Sequence, residues 1–199
     1  MNNDELVLIA KFTKAYSALS SSAIEQIAQI GHLETIPKKD HFISFGQLDK
    51  RLAFVIDGLF RGYILNDGEE TTLWFSDEFD IIASYNGILF NETSKITYQA
   101  LESSTLFVIH YDDLKNLAKN NQEVALTIIQ ILEQVLGEAF QRNERFILMD
   151  AETRYLNLLD KKPKVISRVP QKLLASYIGI TPVSLSRLRS RLNKKRDLK

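Results

Sequence analysis

The spacing of apolar residues changes twice along the chain, and each change marks a change in predicted secondary structure. Over residues 4–30 the spacing is helical, and Ser20 to Ser22 cap the second of two helical stretches, AIEQIAQI. The first stretch is marked by Leu6, Ile9, Phe12 and Thr13. Short strand-like runs begin at Glu34, and helical spacing returns at Tyr111. The pattern predicts a helical start, a β-rich middle and a helical end.

The β-rich middle consists of short runs of β-branched and aromatic residues separated by Gly, Asp and Asn. The runs are TIPKKDHFISF, LAFVID, LFRGYIL, TTLWFS, DIIASY, ITYQAL and TLFVIH. Asp57-Gly58 and Asn66-Asp67-Gly68 predict hairpin turns, because these residues tolerate left-handed backbone conformations. About seven or eight short strands at this spacing predict a small sandwich or barrel.

A long helix is predicted from Gln122 to Met149, and its apolar residues form two neighbouring rows. The first row has 4-3-4-3-7 spacing, which is close to a heptad seam, and consists of Ala125, Ile129, Leu132, Leu136, Ala139 and Phe146. The second row is Val124, Ile128, Ile131 and Val135. We expect one row to cover the β-rich unit and the other to form a dimer interface, with Asn143 at a seam position. A monomeric core helix, the alternative, needs only one apolar face.

Residues 169–192, VPQKLLASYIGITPVSLSRLRSRL, predict two short helices joined by a tight turn. The first helix carries apolar Leu173, Leu174, Tyr177 and Ile178. Gly179 supplies the positive backbone angle that ends a helix. Thr181 is a good N-cap, and Pro182 fits the first position of the second helix.

The second helix has two distinct sides on a helical wheel. Its predicted core side carries Leu185, Leu188 and Leu192. The opposite side carries Val183, Arg187 and Ser190, flanked by Ser186 and Arg191. Arginine can bond guanine edges or phosphates, and valine can contact a thymine methyl group. This layout is typical of a DNA-reading helix-turn-helix; the alternative is an ordinary helical hairpin with a solvated basic face.

A charged connector with a proline precedes the helix pair. Its sequence, DKKPKVISRV, covers residues 160–169 and predicts either a plain connector or a two-strand wing.

Charge is divided unevenly between the two ends of the chain. The whole chain of 199 residues is neutral, with 25 basic and 25 acidic residues. Residues 161–199 contain 12 basic residues against Asp197 alone, a net charge of +11, so residues 1–160 carry −11. This asymmetry predicts a basic nucleic-acid-binding unit joined to an acidic unit with another role.

The residue content excludes several kinds of site. The chain has no cysteine, which excludes disulfides, thiolate zinc sites and cysteine-held iron–sulfur clusters. His32, His41 and His110 lie far apart and not at metal-ligand spacing, so we expect no metal and no cofactor. No Gly-rich phosphate loop, Ser-His-Asp set or pair of carboxylates on one helix face appears, so we do not expect an enzyme.

The sequence also lacks the signals of membrane insertion and secretion. It has no apolar run of about 18 residues, the length that spans a membrane. The N-terminal segment MNNDELVLIAKF lacks the basic start and cleavage signal of a secretory peptide. We therefore expect a cytoplasmic protein with no membrane partner.

The order of a β-rich unit, a seam helix and a helix pair resembles the Crp-Fnr family of bacterial transcription regulators over essentially the whole chain. FVIDGLFRGYIL looks like the family's barrel hairpin, TTLWFSDEF like the strand entering its ligand site, and ITPVSLSRLRSRL like its recognition helix. The resemblance implies an α+β fold. It places a cyclic-nucleotide-binding-like β-barrel of jelly-roll type at 1–120, a dimerisation helix at 121–150 and a winged helix-turn-helix at 151–199.

The ligand signature of that family is altered in this chain. Members that bind cyclic nucleotides carry a Gly-Glu pair and a later Arg-Ser or Arg-Thr pair. The matching stretch here, FDIIASYNGILFNETSKITYQAL, has no Gly-Glu and places Ser94-Lys95 where the arginine pair belongs. Lysine cannot form a bidentate pair of hydrogen bonds with a phosphate as arginine does, so we do not expect the chain to bind cyclic AMP. The pocket holds another effector or is filled and holds none; its candidate lining is Tyr85, Asn86, Ser94, Lys95 and Thr97.

The resemblance implies base-reading roles for Pro182, Val183 and Arg187, with Ser184 on phosphate. Val183 replaces the glutamate of the cyclic-AMP-responsive type, so the operator must differ at that base pair. We expect Gln171 and Lys172 to bind backbone phosphate. The full set of expected DNA contacts is Gln171, Lys172, Thr181, Pro182, Val183, Ser184, Ser186, Arg187, Ser190 and Arg191.

These patterns predict a homodimeric regulator that reads a palindrome in double-stranded DNA, with half-sites about 34 Å apart. RNA polymerase is a further expected partner if the protein activates transcription. Two other classes stay open at this stage. One is a ligand-binding or interaction module whose basic face meets an acidic protein, and the other is an enzyme with an unrecognised site.

Overall fold

The computed structural model describes residues 19–197, with the backbone alone for 195–197. The first predicted helical stretch, with Leu6, Ile9, Phe12 and Thr13, lies outside the described residues. The second is confirmed as α1, Ser21–Gln29. Ser20 caps it, because its hydroxyl oxygen accepts a hydrogen bond from the amide of Ala23 at 3.3 Å.

Eight antiparallel strands form two four-stranded sheets. The strands are β1 Gly31–Ile36, β2 His41–Ile43, β3 Arg51–Asp57, β4 Phe60–Asn66, β5 Glu69–Ser76, β6 Ile81–Ala83, β7 Thr97–Ala100 and β8 Ser104–His110. One sheet has the order β1-β8-β3-β6 and the other β2-β7-β4-β5. Within residues 19–197 no strand pairing joins the two sheets, so they form a sandwich and not a closed barrel. Fully buried side chains such as Val55, Phe60, Tyr98 and Leu106 fill the space between them.

The two predicted hairpin turns have different outcomes. Asp67 and Gly68 form a two-residue hairpin between β4 and β5, and both have positive φ angles, 50° and 81°. The hairpin predicted at Asp57-Gly58 is wrong, because β3 and β4 lie in different sheets. Gly58, with a φ of 115°, forms a corner instead, where a Cβ would lie 2.1 Å from the hydroxyl oxygen of Ser104.

Six helices follow the last strand. They are α2 Tyr111–Asn120, α3 Gln122–Leu148, α4 Ala151–Lys161, α5 Pro163–Arg168, α6 Gln171–Ile178 and α7 Pro182–Asp197. A π-helical turn, Asn86–Phe90, lies between β6 and β7. The long predicted helix is confirmed as α3, which starts at the side-chain cap of Asn121. Asp150 caps α4 in the same way through the amide of Thr153.

The segment 160–169 is helical, so the two-strand wing considered for it is wrong. It contains the end of α4 and the whole of α5, and no strand occurs anywhere in residues 111–197. Pro163 occupies the first position of α5, where its missing amide hydrogen costs nothing. Val165 and Val169, one helical turn apart, are both buried. This burial favours a helix over a solvent-exposed ribbon.

The C-terminal helices pack directly on the β sandwich. Leu59 and Phe75 from the strand region share one buried cluster with Leu174, Ile178 and Leu185 from α6 and α7. The ring of Phe75 lies 5.1 Å from that of Tyr177, centroid to centroid. The two units therefore share an apolar core.

Candidate nucleic-acid interface

The turn between α6 and α7 forms as predicted. Gly179 has a φ of 76° and ends α6 in the left-handed conformation. The amide of the next residue, Ile180, donates to the carbonyl oxygen of Ala175 at 3.0 Å. Together with the left-handed Gly179, this bond satisfies carbonyl groups at the end of α6.

Hydrogen bonds fix the start of α7 and tie it to α6. The hydroxyl oxygen of Thr181 accepts from the amide of Ser184 at 3.2 Å, which confirms Thr181 as the N-cap. Pro182 is the first residue of α7, as predicted. Nε2 of Gln171, the first residue of α6, donates to the carbonyl oxygen of Pro182 at 3.1 Å.

The predicted sides of α7 are confirmed by burial. Leu185 and Leu188 lie in the core that α7 shares with α6, and Leu192 packs against it. On the other side Val183 is 60 % exposed, and Arg187 is also exposed. The remaining predicted contact residues are exposed as well: Gln171, Lys172, Thr181, Pro182, Ser184, Ser186, Ser190 and Arg191.

The basic side chains of α7 differ in what they contact. Arg191 forms an ion pair with Glu152 of α4, which turns its guanidinium toward the protein. Arg189 is half-buried, and its Nε donates to the phenol oxygen of Tyr155 at 3.1 Å. Arg187 has no hydrogen bond or ion pair within residues 19–197, so its guanidinium is free to bind a ligand.

Ion pairs hold the C-terminal helices to the turns of the sandwich. Arg168, the last residue of α5, donates to both carboxylate oxygens of Glu78, at 3.0 and 2.9 Å, and also pairs with Glu102. Burial acts to raise the pKa of Glu78, but the hydrogen bonds and charge of Arg168 hold it below its ordinary value. The hydrogen bonds that Arg168 donates to Glu102 and Glu78 raise its pKa.

A second set of ion pairs centres on Lys162, between α4 and α5. Its Nζ lies 2.7 Å from Oδ1 of Asp77 and 2.5 Å from Oδ2 of Asp80. Burial raises the pKa of Asp80 to about 6, against the opposing charge of Lys162. A half-buried lysine shared by two carboxylates thus links the connector to the sandwich.

The two apolar rows of α3 face different surroundings. Val124, Ile128 and Ile131 pack against the sandwich, as predicted for one row. In the other row Ile129, Leu132 and Leu136 are 51 %, 40 % and 59 % exposed, respectively. Ala125 and Ala139 are half-buried, and Asn143 is exposed. The sequence pattern missed Leu126 and Phe140, which extend the exposed apolar surface.

Phe146, the last residue of the predicted seam, faces a different environment. The guanidinium groups of Arg142 and Arg154 each lie 4.8 Å from the centre of its ring. The ring borders a partly open cavity together with residues of α4 and α6.

The five residues predicted to line an effector pocket differ in their surroundings. Ser94 is buried, and its hydroxyl donates to the carbonyl oxygen of Ile96 at 2.7 Å. Thr97 is buried and accepts from the amide of Phe45 at 3.0 Å. Lys95 is exposed, and Asn86 starts the π-helical turn. Of the five, only Tyr85 borders the partly open cavity next to Phe146, and burial raises its pKa to about 12.

That cavity has a volume of about 560 Å³ and lies between β5, β6, the second half of α3, α4 and α6. Its aromatic lining consists of Trp74, Phe75, Tyr85, Tyr98, Phe146 and Tyr177. Its charged lining consists of Arg142, Arg145, Arg154, Lys161, Lys162, Asp80 and Glu138. Sequence reasoning missed this site, because its residues come from segments without a shared motif.

Two kinds of feature are absent from the part of the chain that the structure describes. No group of three or more histidine, aspartate or glutamate side chains there could hold a metal ion. No helix among residues 19–197 is both long and apolar enough to cross a membrane.

Comparison with known proteins gives structural likenesses only. No family model matches the chain, and no curated protein matches its sequence. Among solved structures, the c-di-GMP-responsive global regulator CLP of Xanthomonas campestris is similar, with a TM-score of 0.71 and 19% identity over 88% of this chain and 93% of CLP. FixK2 of Bradyrhizobium japonicum has a TM-score of 0.68 and 17% identity over 83% of this chain and 86% of FixK2.

An isolated domain among the solved structures is similar as well. A cyclic nucleotide-binding domain from Methylobacillus flagellatus has a TM-score of 0.64 and 14% identity over 73% of this chain and 83% of that domain. At these identities the likeness concerns the fold. The chain therefore has the cyclic-nucleotide-binding-like fold, with C-terminal helices, that Crp-Fnr transcription regulators share.

Proposed function

We propose that the chain is a homodimeric transcription regulator, not an enzyme, and that it binds double-stranded DNA through α7. The two-sided character of α7 carries this proposal. Leu185 and Leu188 anchor one side, while Val183 and Arg187 are exposed on the other. A helix anchored in this way, directly after a tight turn, can enter a major groove as a rigid element. The fold that the chain shares with regulators supports the same function.

Individual residues of the helix pair take different roles in this proposal. Arg187, which has no partner in the described part of the chain, pairs with a guanine edge through its two-pronged guanidinium. Val183 contacts a thymine methyl group and cannot accept a hydrogen bond from cytosine. Lys172, exposed at the start of α6, neutralises a phosphate. Gln171 and Ser184 are engaged within the helix pair and contribute mainly by holding its geometry.

A second copy of the chain covers the exposed apolar row of α3. Ile129, Leu132, Leu136 and Phe140 lie within three turns of one another and are each at least 40 % exposed. Their burial against the same row of a partner is favourable by roughly 25 cal/mol per Å² of apolar surface. α3 has 27 residues and is thus about 40 Å long, enough for an extended parallel contact. Two-fold symmetry then places two recognition helices on a palindrome.

Regulation and further partners follow from the same arrangement. An effector changes DNA binding only if it binds one arrangement of α3 and α7 better than another. Cyclic AMP is not proposed, because Ser94 and Thr97 are engaged in internal hydrogen bonds and Lys95 points to solvent. RNA polymerase is a proposed partner if the bound dimer activates transcription.

The experiment that tests this function is selection of bound fragments from random genomic DNA by the purified full chain. A palindrome with half-sites about one helical turn apart is the expected result. Recovery of fragments without any common motif would contradict specific DNA binding and favour an interaction module with a basic face. Arg187→Gln is the matched variant, and Lys115→Gln, an exposed site on α2, is the control.

A further inference from the structure

Three arginine side chains line the partly open cavity between the sandwich and the C-terminal helices. Among the described residues, Arg142, Arg145 and Arg154 form no ion pair with a carboxylate. Arg142 donates from Nε to the carbonyl oxygen of Leu73 at 2.8 Å. Arg154 donates to the carbonyl oxygen of Ile178 at 3.0 and 2.8 Å. Backbone carbonyls thus orient two of these guanidiniums without neutralising them.

The guanidinium groups of Arg142 and Arg154 lie close to aromatic rings. Arg142 lies 4.5 Å from the ring centre of Trp74 and shares the ring of Phe146 with Arg154. Cation–π contacts of this kind stabilise a cation, but they leave its charge in place. Two positive groups on one ring also repel each other.

Arg145 adds a third positive charge to this wall. Its side chain makes no hydrogen bond or ion pair within residues 19–197 and is half-buried. Burial lowers the pKa of the neighbouring Arg142, and the like charge of Arg145 acts in the same direction. Glu138 also lines the cavity but forms no ion pair with these arginines, so their half-buried charges are not directly neutralised, and a bound anion would stabilise them.

We propose that the cavity binds a small organic anion with an aromatic or other apolar body, whose phosphate or carboxylate group pairs with Arg145 and Arg142. The aromatic lining accommodates the body, and a volume of about 560 Å³ is within the range of small-molecule sites. Of the residues predicted to line an effector pocket, only Tyr85 borders this cavity, and Ser94, Lys95 and Thr97 do not line it. The proposed anion binding does not depend on whether the protein binds DNA.

Trp74, the single tryptophan of the chain, lies in the cavity wall. Its fluorescence should therefore change when a ligand binds in the cavity. The experiment titrates the full chain, without DNA, with two probes of similar aromatic body. One is 8-anilinonaphthalene-1-sulfonate, an anion, and the other is its neutral analogue N-phenyl-1-naphthylamine. We expect the anion to quench Trp74 and to bind about tenfold more tightly than the neutral probe, the size of one charge-assisted contact.

Arg145→Gln is the informative variant, because the Arg145 side chain makes no hydrogen bond or ion pair within residues 19–197 that the substitution would break. The substitution should weaken the affinity for the anionic probe about tenfold and change the affinity for the neutral probe by no more than about twofold. Lys115→Gln removes an exposed positive charge on α2 and should change neither affinity. Circular dichroism of both variants establishes that they are folded. Equal affinity of the two probes, or equal effects of the two variants, would overturn the proposal.

Competition identifies the charged group and the location. Displacement of the anionic probe by 1-naphthyl phosphate or by 1-naphthoate supports the site and tells which head group it prefers; displacement by neither overturns it. Leu136→Asn tests binding at the exposed row of α3 instead. Loss of probe binding in Leu136→Asn together with normal binding in Arg145→Gln would place the probe on that row and refute the cavity site.

Discussion

Lys162 and Asp80 connect the C-terminal helices to the β sandwich through a contact of 2.5 Å between Nζ and Oδ2. Asp77 shares the same ammonium group at 2.7 Å. Two carboxylates therefore converge on one lysine at the border of the partly open cavity. Since Lys162 precedes α5, this contact helps to set where the helix pair sits relative to the sandwich.

The pH dependence of stability should carry the signature of Asp80. Burial raises its pKa to about 6 in the folded chain, above the ordinary value of 3.8, so the folded state binds this proton more readily than the unfolded state. A raised pKa gives stability that is fully present below the unfolded value and is lost as the pH rises through about 6. We expect wild type to gain about 2 kcal/mol relative to Asp80→Asn between pH 7 and pH 4.

Urea denaturation of both proteins at several pH values measures this difference. Comparison with Asp80→Asn cancels the contributions of other titrating groups, such as Glu78. A difference that stays constant with pH, or that shrinks on acidification, would contradict a raised pKa for Asp80.

Arg187→Ala and Lys172→Ala should have different effects on the sequence specificity of DNA binding. Loss of Arg187 should reduce the binding free energy for the selected DNA site by about 1–3 kcal/mol and relax specificity at one base pair. Loss of Lys172 should weaken binding to selected and random DNA about equally, because phosphate contacts carry no sequence information. Titrations on both DNAs at one fixed salt concentration measure this. Equal losses on both DNAs for Arg187→Ala would contradict its base-reading role.

Leu136→Lys should dissociate the proposed dimer. The leucine is 59 % exposed at the middle of the apolar row of α3, and two facing lysines would repel each other there. Analytical ultracentrifugation should show a shift from dimer to monomer. Leu48→Lys is the control, since Leu48 is 54 % exposed in a loop remote in sequence from α3. Retention of the dimer in Leu136→Lys would exclude this row as the interface.

Gly179→Ala should destabilise the helix pair by about 1 kcal/mol, because a side chain disfavours the left-handed conformation. Gly179 has a φ of 76°, while a Cβ there would meet nothing nearer than 3.4 Å, so the cost comes from the backbone and not from a clash. Gly179→Asn should cost less, since asparagine tolerates this conformation better. Chemical denaturation of the three proteins gives the order. Equal stability of all three would show that the turn does not need a glycine.

Local chemistry along the sequence determined most of the helices and turns. Ser20, Asn121 and Thr181 cap helices through their own side chains, and Asp67-Gly68 forms a hairpin because both residues accept positive φ angles. The two sides of α7 followed from periodicity, because one helix face must be buried. Each of these features depends on residues within a few positions of one another.

Tertiary structure decided what distant segments do when they meet. The sequence does not reveal that Gly58 turns the chain into the other sheet, or that the segment around Val165 packs as a helix. It places Arg191 on the exposed face of α7, whereas Glu152 draws its guanidinium toward α4. The cavity around Arg145, whose guanidinium forms no ion pair within residues 19–197, arises only when strands and helices from six segments converge. Local rules fix backbone conformation, but long-range packing decides which charges are neutralised and which remain available to a ligand.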